Sequence, residues 1–240
     1  LMLLATACEK KEETPEFQQL SLDSEAVMEK LPEGLMNCTD EYAQECVGMI
    51  ESALDMSSFL DNMEVPDDAV RSSKKASGDT WTWTFSSQGF TWTFYWTYEE
   101  DNSKRYWTMD IQFGDGPRYD YIQAWEWKDG HGGEVLYNFN WAYIYEGEAY
   151  EEEYDGLYWR YTWEETNDGG YEFRWYYDAT DEEFQYFMEY DIVIGSDGSG
   201  QIDYYFYDEL YYHMEWDAAG AGSWTYYFGD TEMSGSWPAG

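Results

Sequence analysis

Basic side chains are scarce in this chain. Twelve Lys and Arg stand against 51 Asp and Glu, a formal net charge of −39. A surface that neutralises nucleic-acid phosphates needs a cationic footprint, and the lack of one excludes DNA or RNA as a partner. The same imbalance disfavours docking on anionic lipid headgroups. Histidine is rarer still: the chain has only His131 and His213. Neither has a nucleophile elbow, a nearby thiol or a metal-ligating partner at helical spacing, so both read as structural residues. Beyond the first residues, no apolar run approaches the ~20 residues that a membrane-crossing helix needs. Aliphatic side chains thin out after residue 70.

Aromatic rings take their place. Tyr (25), Trp (14) and Phe (12) make up 21% of the chain. They recur at every second position. Trp81, Trp83 and Phe85 interleave with threonines, and so do Phe90, Trp92, Phe94, Trp96 and Tyr98. Trp107, Met109, Ile111 and Phe113 follow, then Tyr119, Tyr121, Trp125 and Trp127, and the pattern runs on to Trp224, Tyr226 and Phe228. Period two marks strands with one covered and one wet face. Gly- and Asp-rich turns at 87–89, 114–117, 129–133, 167–170 and 196–200 separate the runs. The expected fold is mostly β, with residues 79–240 as an antiparallel up-and-down meander of about eleven strands. So large a one-sided sheet is expected to curl into a barrel or half-barrel.

Ahead of the sheet, residues 22–64 read as a helical segment. A first helix over Ser24–Leu31 is stopped by Pro32, and a second is capped by Thr39 or Asp40. The second carries an apolar stripe: Tyr42, Cys46, Met49, Ile50, Ala53, Leu54 and Leu60. Residues 65–78 read as a polar linker.

The chain opens Leu-Met-Leu-Leu-Ala-Thr-Ala-Cys. Ala5-Thr6-Ala7-Cys8 resembles a bacterial lipobox, although Ala5 stands where that motif most often has Leu. The resemblance implies that residues 1–7 are the end of a signal peptide and that Cys8 carries a lipid. Residues 8–21 are then a polar tether to the membrane, placing the protein in the outer membrane. Lys10-Lys11-Glu12-Glu13 resembles, over a short stretch, the surface-export signals of Bacteroidetes lipoproteins. With Cys8 lipidated in an oxidising compartment, Cys38 and Cys46 are expected to form a disulfide, which requires Cys38 to fold back from the turn before the helix.

The rings on one face are the functional feature. Alternation places Trp92, Trp107, Trp125, Trp141, Trp159 and Trp175 there as candidate ligand-facing residues, with Thr93, Thr108, Glu126, Asn140, Arg160 and Arg174 opposite. Such a face serves as a filled core under the helices, as the lining of a cavity for an apolar ligand, or as rows of rings that stack on sugars. A half-barrel under a helical lid is similar in outline to lipoprotein carriers of the LolA and LolB type. An outer-membrane β-barrel also explains alternation, but the rings run through strand centres and not in two girdles. Asp197-Gly-Ser-Gly-Gln-Ile-Asp203 alternates oxygens as calcium loops do, yet lacks the EF-hand spacing and reads as a turn. The expectation is a non-enzymatic, lipid-anchored envelope protein with no catalytic residue, metal or cofactor. It binds an apolar or glycan ligand or serves as a scaffold. The acidic balance reads either as a plain solvated surface or as that of a protein from a saline habitat, where molar salt shortens screening to about 3 Å.

Overall fold

The computed structural model describes residues 22–57, 65–73, 79–87, 90–138, 157–179, 188–207, 209–229 and 231–240. Cys8, the tether, Asn140 and Trp141 lie outside these residues.

Among the described residues three helices precede the strands: α1 (Ser24–Met28), α2 (Glu33–Met36) and α3 (Glu41–Ser57). Asp23 caps α1 by accepting the Ala26 N–H at 3.0 Å. Pro32 ends that path and stands as the N-cap of α2, a turn that sequence reading missed. Asp40 starts α3 by accepting the N–H groups of Tyr42 at 3.0 Å and Ala43 at 3.4 Å. Ala43, Cys46, Val47, Ile50, Ala53 and Leu54 bury one side of α3 in the core. No helix of the described residues is long and apolar enough to cross a membrane.

Among the described residues thirteen strands follow: β1 (Val70–Ser73), β2 (Asp79–Ser87), β3 (Phe90–Glu100), β4 (Lys104–Phe113), β5 (Arg118–Trp127), β6 (Gly132–Asn138), β7 (Leu157–Glu165), β8 (Tyr171–Ala179), β9 (Met188–Ile194), β10 (Gly200–Phe206), β11 (Glu209–Trp216), β12 (Gly222–Phe228) and β13 (Thr231–Trp237). They form one antiparallel meander in which every strand pairs with its neighbours in sequence order. The sheet is not closed: β1 and β13 are its edges and do not pair with each other, so of the expected barrel or half-barrel the closed form is ruled out. The two strands beyond the expected eleven are these edges. β1 lies inside the stretch read as a linker, and Arg71 ties it to Asp79 at 2.6 Å.

Register carries one row of apolar side chains, mostly rings, across the sheet. Trp81 pairs Trp96, which pairs Met109, then Ile122, Tyr137, Trp159 and Tyr177. A second row runs Tyr161, Trp175, Tyr190, Tyr204, Tyr212, Tyr226. The helices cover this face over the last strands, where Tyr42 of α3 stacks on Trp224 with centroids 4.0 Å apart.

Close backbone contacts clip the helical segment to the hairpins. Gly198 and Gly220 take φ of +83° and +93°, and a Cβ on either would clash with the backbone of Lys30 or Leu35. The Gly240 N–H donates to the Gly34 carbonyl at 2.8 Å. A repeated device stiffens the same hairpins. The Trp216 indole N–H donates to the Gly198 carbonyl at 2.8 Å, and Trp237 does the same to Gly220 at 2.9 Å.

The expected disulfide is absent. Cys38 and Cys46 are both free and buried. Cys38 turns away from α3, its thiol donating to the Pro238 carbonyl at 3.4 Å, while Cys46 faces the core from the helix. Burial pushes the Cys46 thiol up to about 12, which keeps it protonated.

Candidate functional site

Alternation on β7, β8 and β9 places Tyr161, Phe173, Trp175, Tyr190 and Ile192 on the ring face beneath α3. From the helix, Glu45, Gly48, Met49, Ser52 and Ala53 complete a cleft of about 420 Å³. That size falls within the roughly 300–1,000 Å³ of small-molecule sites. Gly48 borders open space here, since a Cβ on it would meet nothing within 4 Å.

The floor is held rigid by ring packing. Trp175 stacks on Tyr190 with centroids 4.9 Å apart, and Tyr190 stacks on Tyr204 at 4.4 Å. Trp159 abuts Trp175 at 4.9 Å. Such offset and tilted pairs add to the area that the rings bury. Burial, followed by the charge and dipole of Tyr204, Glu45 and Tyr226, pushes Tyr190 up to about 12. Burial raises Tyr161 as well. Both phenols therefore stay protonated at neutral pH, as donors. At the rim, the Glu45 carboxylate accepts from the Tyr226 hydroxyl at 3.3 Å.

The candidate tryptophans divide. Trp175 lines the cleft and Trp159 stands beside it. Trp92 and Trp107 share their face but lie on β3 and β4, and Trp107 is buried in the core. Trp125 is on the opposite face, which corrects its assignment. The pairing shifts at Met109/Asp110, leaving Tyr121 as an extra residue, so that Ile122, Ala124 and Glu126 take the covered side. Trp125 instead pairs with Tyr106 and Glu134 and donates to the Glu134 carboxylate at 3.3 Å. Lys104 lies over its ring at 3.3 Å. Glu126, expected in water, is fully buried and held by Arg105 at 2.7 Å. Gly48 and Tyr161 were missed as site residues. A glycine inside an apolar helical stripe was the signal for the first; nothing distinguished Tyr161 from the other rings.

The opposite face of the same strands carries charge. Arg174, Asp191, Asp203 and His213 stand side by side on β8 to β11. Arg174 pairs with Glu189, and with Asp191 at 3.4 Å. His213 Nδ1 meets Asp203 at 2.6 Å, and Gln201 donates to the other Asp203 oxygen at 2.8 Å. Burial and the neighbouring Glu189 charge push Asp191 up to about 6, against the lowering pull of Arg174. Among the described residues no group of three His, Cys, Asp or Glu is arranged to hold a metal ion.

No protein-family model, curated protein or solved structure matches this chain.

Proposed function

We propose that this protein is a lipid-anchored envelope lipoprotein that binds an apolar small molecule in the cleft beneath α3 and performs no chemistry on it. The observation that carries the binding reading is the cleft itself, in which a helix glycine leaves open space over the stacked rings Trp175 and Tyr190. The lipobox-like Ala5–Cys8 motif and the polar residues after it support the anchor and outer-membrane placement. The non-enzymatic reading draws on the ionisable lining: Glu45 engages Tyr226, and Tyr161 and Tyr190 are phenols that burial keeps protonated.

A glycan-binding surface needs rings open to water. None of the described tryptophans is exposed, and the exposed rings Phe85, Phe206, Tyr207 and Phe228 sit at the ends of strands or in a turn. An outer-membrane barrel must leave no edge, and this sheet has two. Both alternatives therefore rank behind the cleft.

Mass spectrometry of what leaves the purified protein on denaturation tests the binding reading. An apolar organic molecule is expected from the wild type and not from Gly48→Leu, which fills the open space above the rings. Release of nothing, together with no thermal shift from any apolar compound, overturns it. Cys8→Ser tests the anchor separately: the variant is expected in the soluble fraction, and retention in a carbonate-washed membrane pellet overturns the assignment.

A further inference from the structure

The cleft beneath α3 has unlike ends. Its helix wall is a single stripe, Glu45, Gly48, Met49, Ser52 and Ala53, spaced as one face of a helix. From residue 45 to residue 53 that stripe spans about 12 Å at the helical rise per residue. Rings and the aliphatic Ile192 line the sheet side, so the single charge in the lining is the Glu45 carboxylate at the first end of the stripe.

Glu45 is exposed, and its side chain takes one hydrogen bond among the described residues, from the Tyr226 hydroxyl at 3.3 Å from both its oxygens. A carboxylate has about four acceptor sites, so most of its capacity is open. No Lys, Arg or His lines the cleft, and none pairs with Glu45 among the described residues. After burial, the Glu45 charge is among the causes that raise Tyr190, Tyr212 and Tyr226 above the usual phenol range. One carboxylate, with no cation to offset it, therefore sets the potential at this end.

An occupant that fills the cleft covers part of this carboxylate and takes water from it, which costs free energy unless the lost hydration is replaced. A hydrocarbon replaces nothing. A second carboxylate adds repulsion, on a chain of net charge −39. A hydroxyl offers one neutral hydrogen bond, whereas an ammonium brings three donors and the opposite charge.

We propose that the occupant is a cationic amphiphile, a primary alkylamine: its ammonium pairs with Glu45 at the mouth, and its alkyl tail lies along α3 on Met49, Phe173, Trp175 and Ile192. This rests on the reading of the cleft as a ligand site and adds the charge of what it holds.

The test titrates three probes of one chain length, decylamine, decanol and decanoate, into the full chain stripped of bound lipid. Calorimetry is the readout, at about pH 7, where the amine is protonated and the acid ionised. Decylamine is expected to bind roughly 5-fold more tightly than decanol, the size of a partly screened ion pair, and decanoate more weakly than either. Glu45→Gln keeps an acceptor for Tyr226 and removes the charge, and it is expected to erase the amine's advantage. Glu45→Lys is expected to put decanoate ahead of decylamine. Glu51 is exposed on α3 outside the cleft, so Glu51→Gln removes one charge as a control and should leave the order of the probes in place. Decanol binding as tightly as decylamine overturns the proposal. So does an advantage that Glu51→Gln erases as fully as Glu45→Gln, which would be general attraction to an acidic chain. Either result leaves the cleft itself standing as long as Gly48→Leu weakens all three probes. If no probe binds, or Gly48→Leu weakens none of them, the cleft is not the site and both readings fall together.

Discussion

The two faces of strands β8 to β11 differ by one residue and by almost everything else. On one side Trp175, Tyr190, Tyr204 and Tyr212 form a row of rings; on the other Arg174, Asp191, Asp203 and His213 form a row of charges. A backbone that sends alternate side chains to opposite sides lets one segment satisfy two solvents. The rings are covered by α3 or by one another. The charges stay near water, and those that do not, Glu189 and Asp203, are held by Arg174 and by His213 with Gln201. A bare buried charge would cost several kcal/mol, roughly what a pair or hydrogen bonds must offset. The lesson is that this sheet tolerates its acidity by confining unpaired carboxylates to one side.

The comparison breaks hardest at neighbouring residues. Met214 is wholly buried on the ring face and Glu215 is exposed on the other. Met214→Ala is expected to cost about 2–5 kcal/mol in chemical denaturation, and Glu215→Ala within about 0.5 kcal/mol. Equal costs would mean that the faces are not divided as described.

Next in size is Gly220→Ala, which puts a side chain on left-handed backbone and against Leu35. A loss of about 2 kcal/mol is expected, and the helices should loosen, which faster amide exchange in α3 would report. Protection in α3 equal to the wild type would show that the hairpins do not hold the helices.

Asp191 sharpens the charged side. Its ordinary value of 3.8 is pushed up to about 6 in the fold, so the folded state holds more protons than the unfolded state between those values. Its contribution therefore favours the fold at the acid end of that window and is lost as pH rises through it. With 36% of the side chain exposed, the effect is discounted for screening to about 1 kcal/mol. Wild-type stability should fall more steeply between about pH 4 and pH 7 than that of Asp191→Asn; parallel curves would remove Asp191 as the cause.

The smallest effect has the opposite sign. Gly48→Ala meets nothing and removes a flexible residue from a helix interior, so a gain of about 0.5–1 kcal/mol is expected. A loss would show that the cleft is narrower at the helix than it looks.

Alternation made most of the sheet legible, because the rings are large, and one face must hide them. It failed where that pressure is weak. Val70-Arg-Ser-Ser and Thr231-Glu-Met-Ser-Gly-Ser-Trp form the two edge strands with few or no rings in alternation. It failed again at Trp125, because one extra residue in β5 reverses every side chain beyond it and leaves no mark in composition. Helix α3 was readable from its stripe and cap and α1 from the stop at Pro32, but not α2 between them, nor the helices' seat over the last hairpins, which depends on distant glycines. Of the site, Trp159 and Trp175 were within reach of sequence; the cleft was not, since a space is made by what neighbouring elements leave unfilled.

One consequence concerns timing. Cys38 meets Pro238 and Gly34 meets Gly240, contacts joining an early part of the chain to a late one some 200 residues away. Ribosomes build α3 before the sheet, and the hairpins that clip its neighbours follow the other strands. Its apolar side therefore waits through synthesis of nearly the whole sheet, the stage at which exposed greasy surface invites wrong partners. Long-range closure is also the slow kind. The cleft should therefore be among the last parts of the molecule to mature, and a chaperone that holds nascent chains would find its handle on α3.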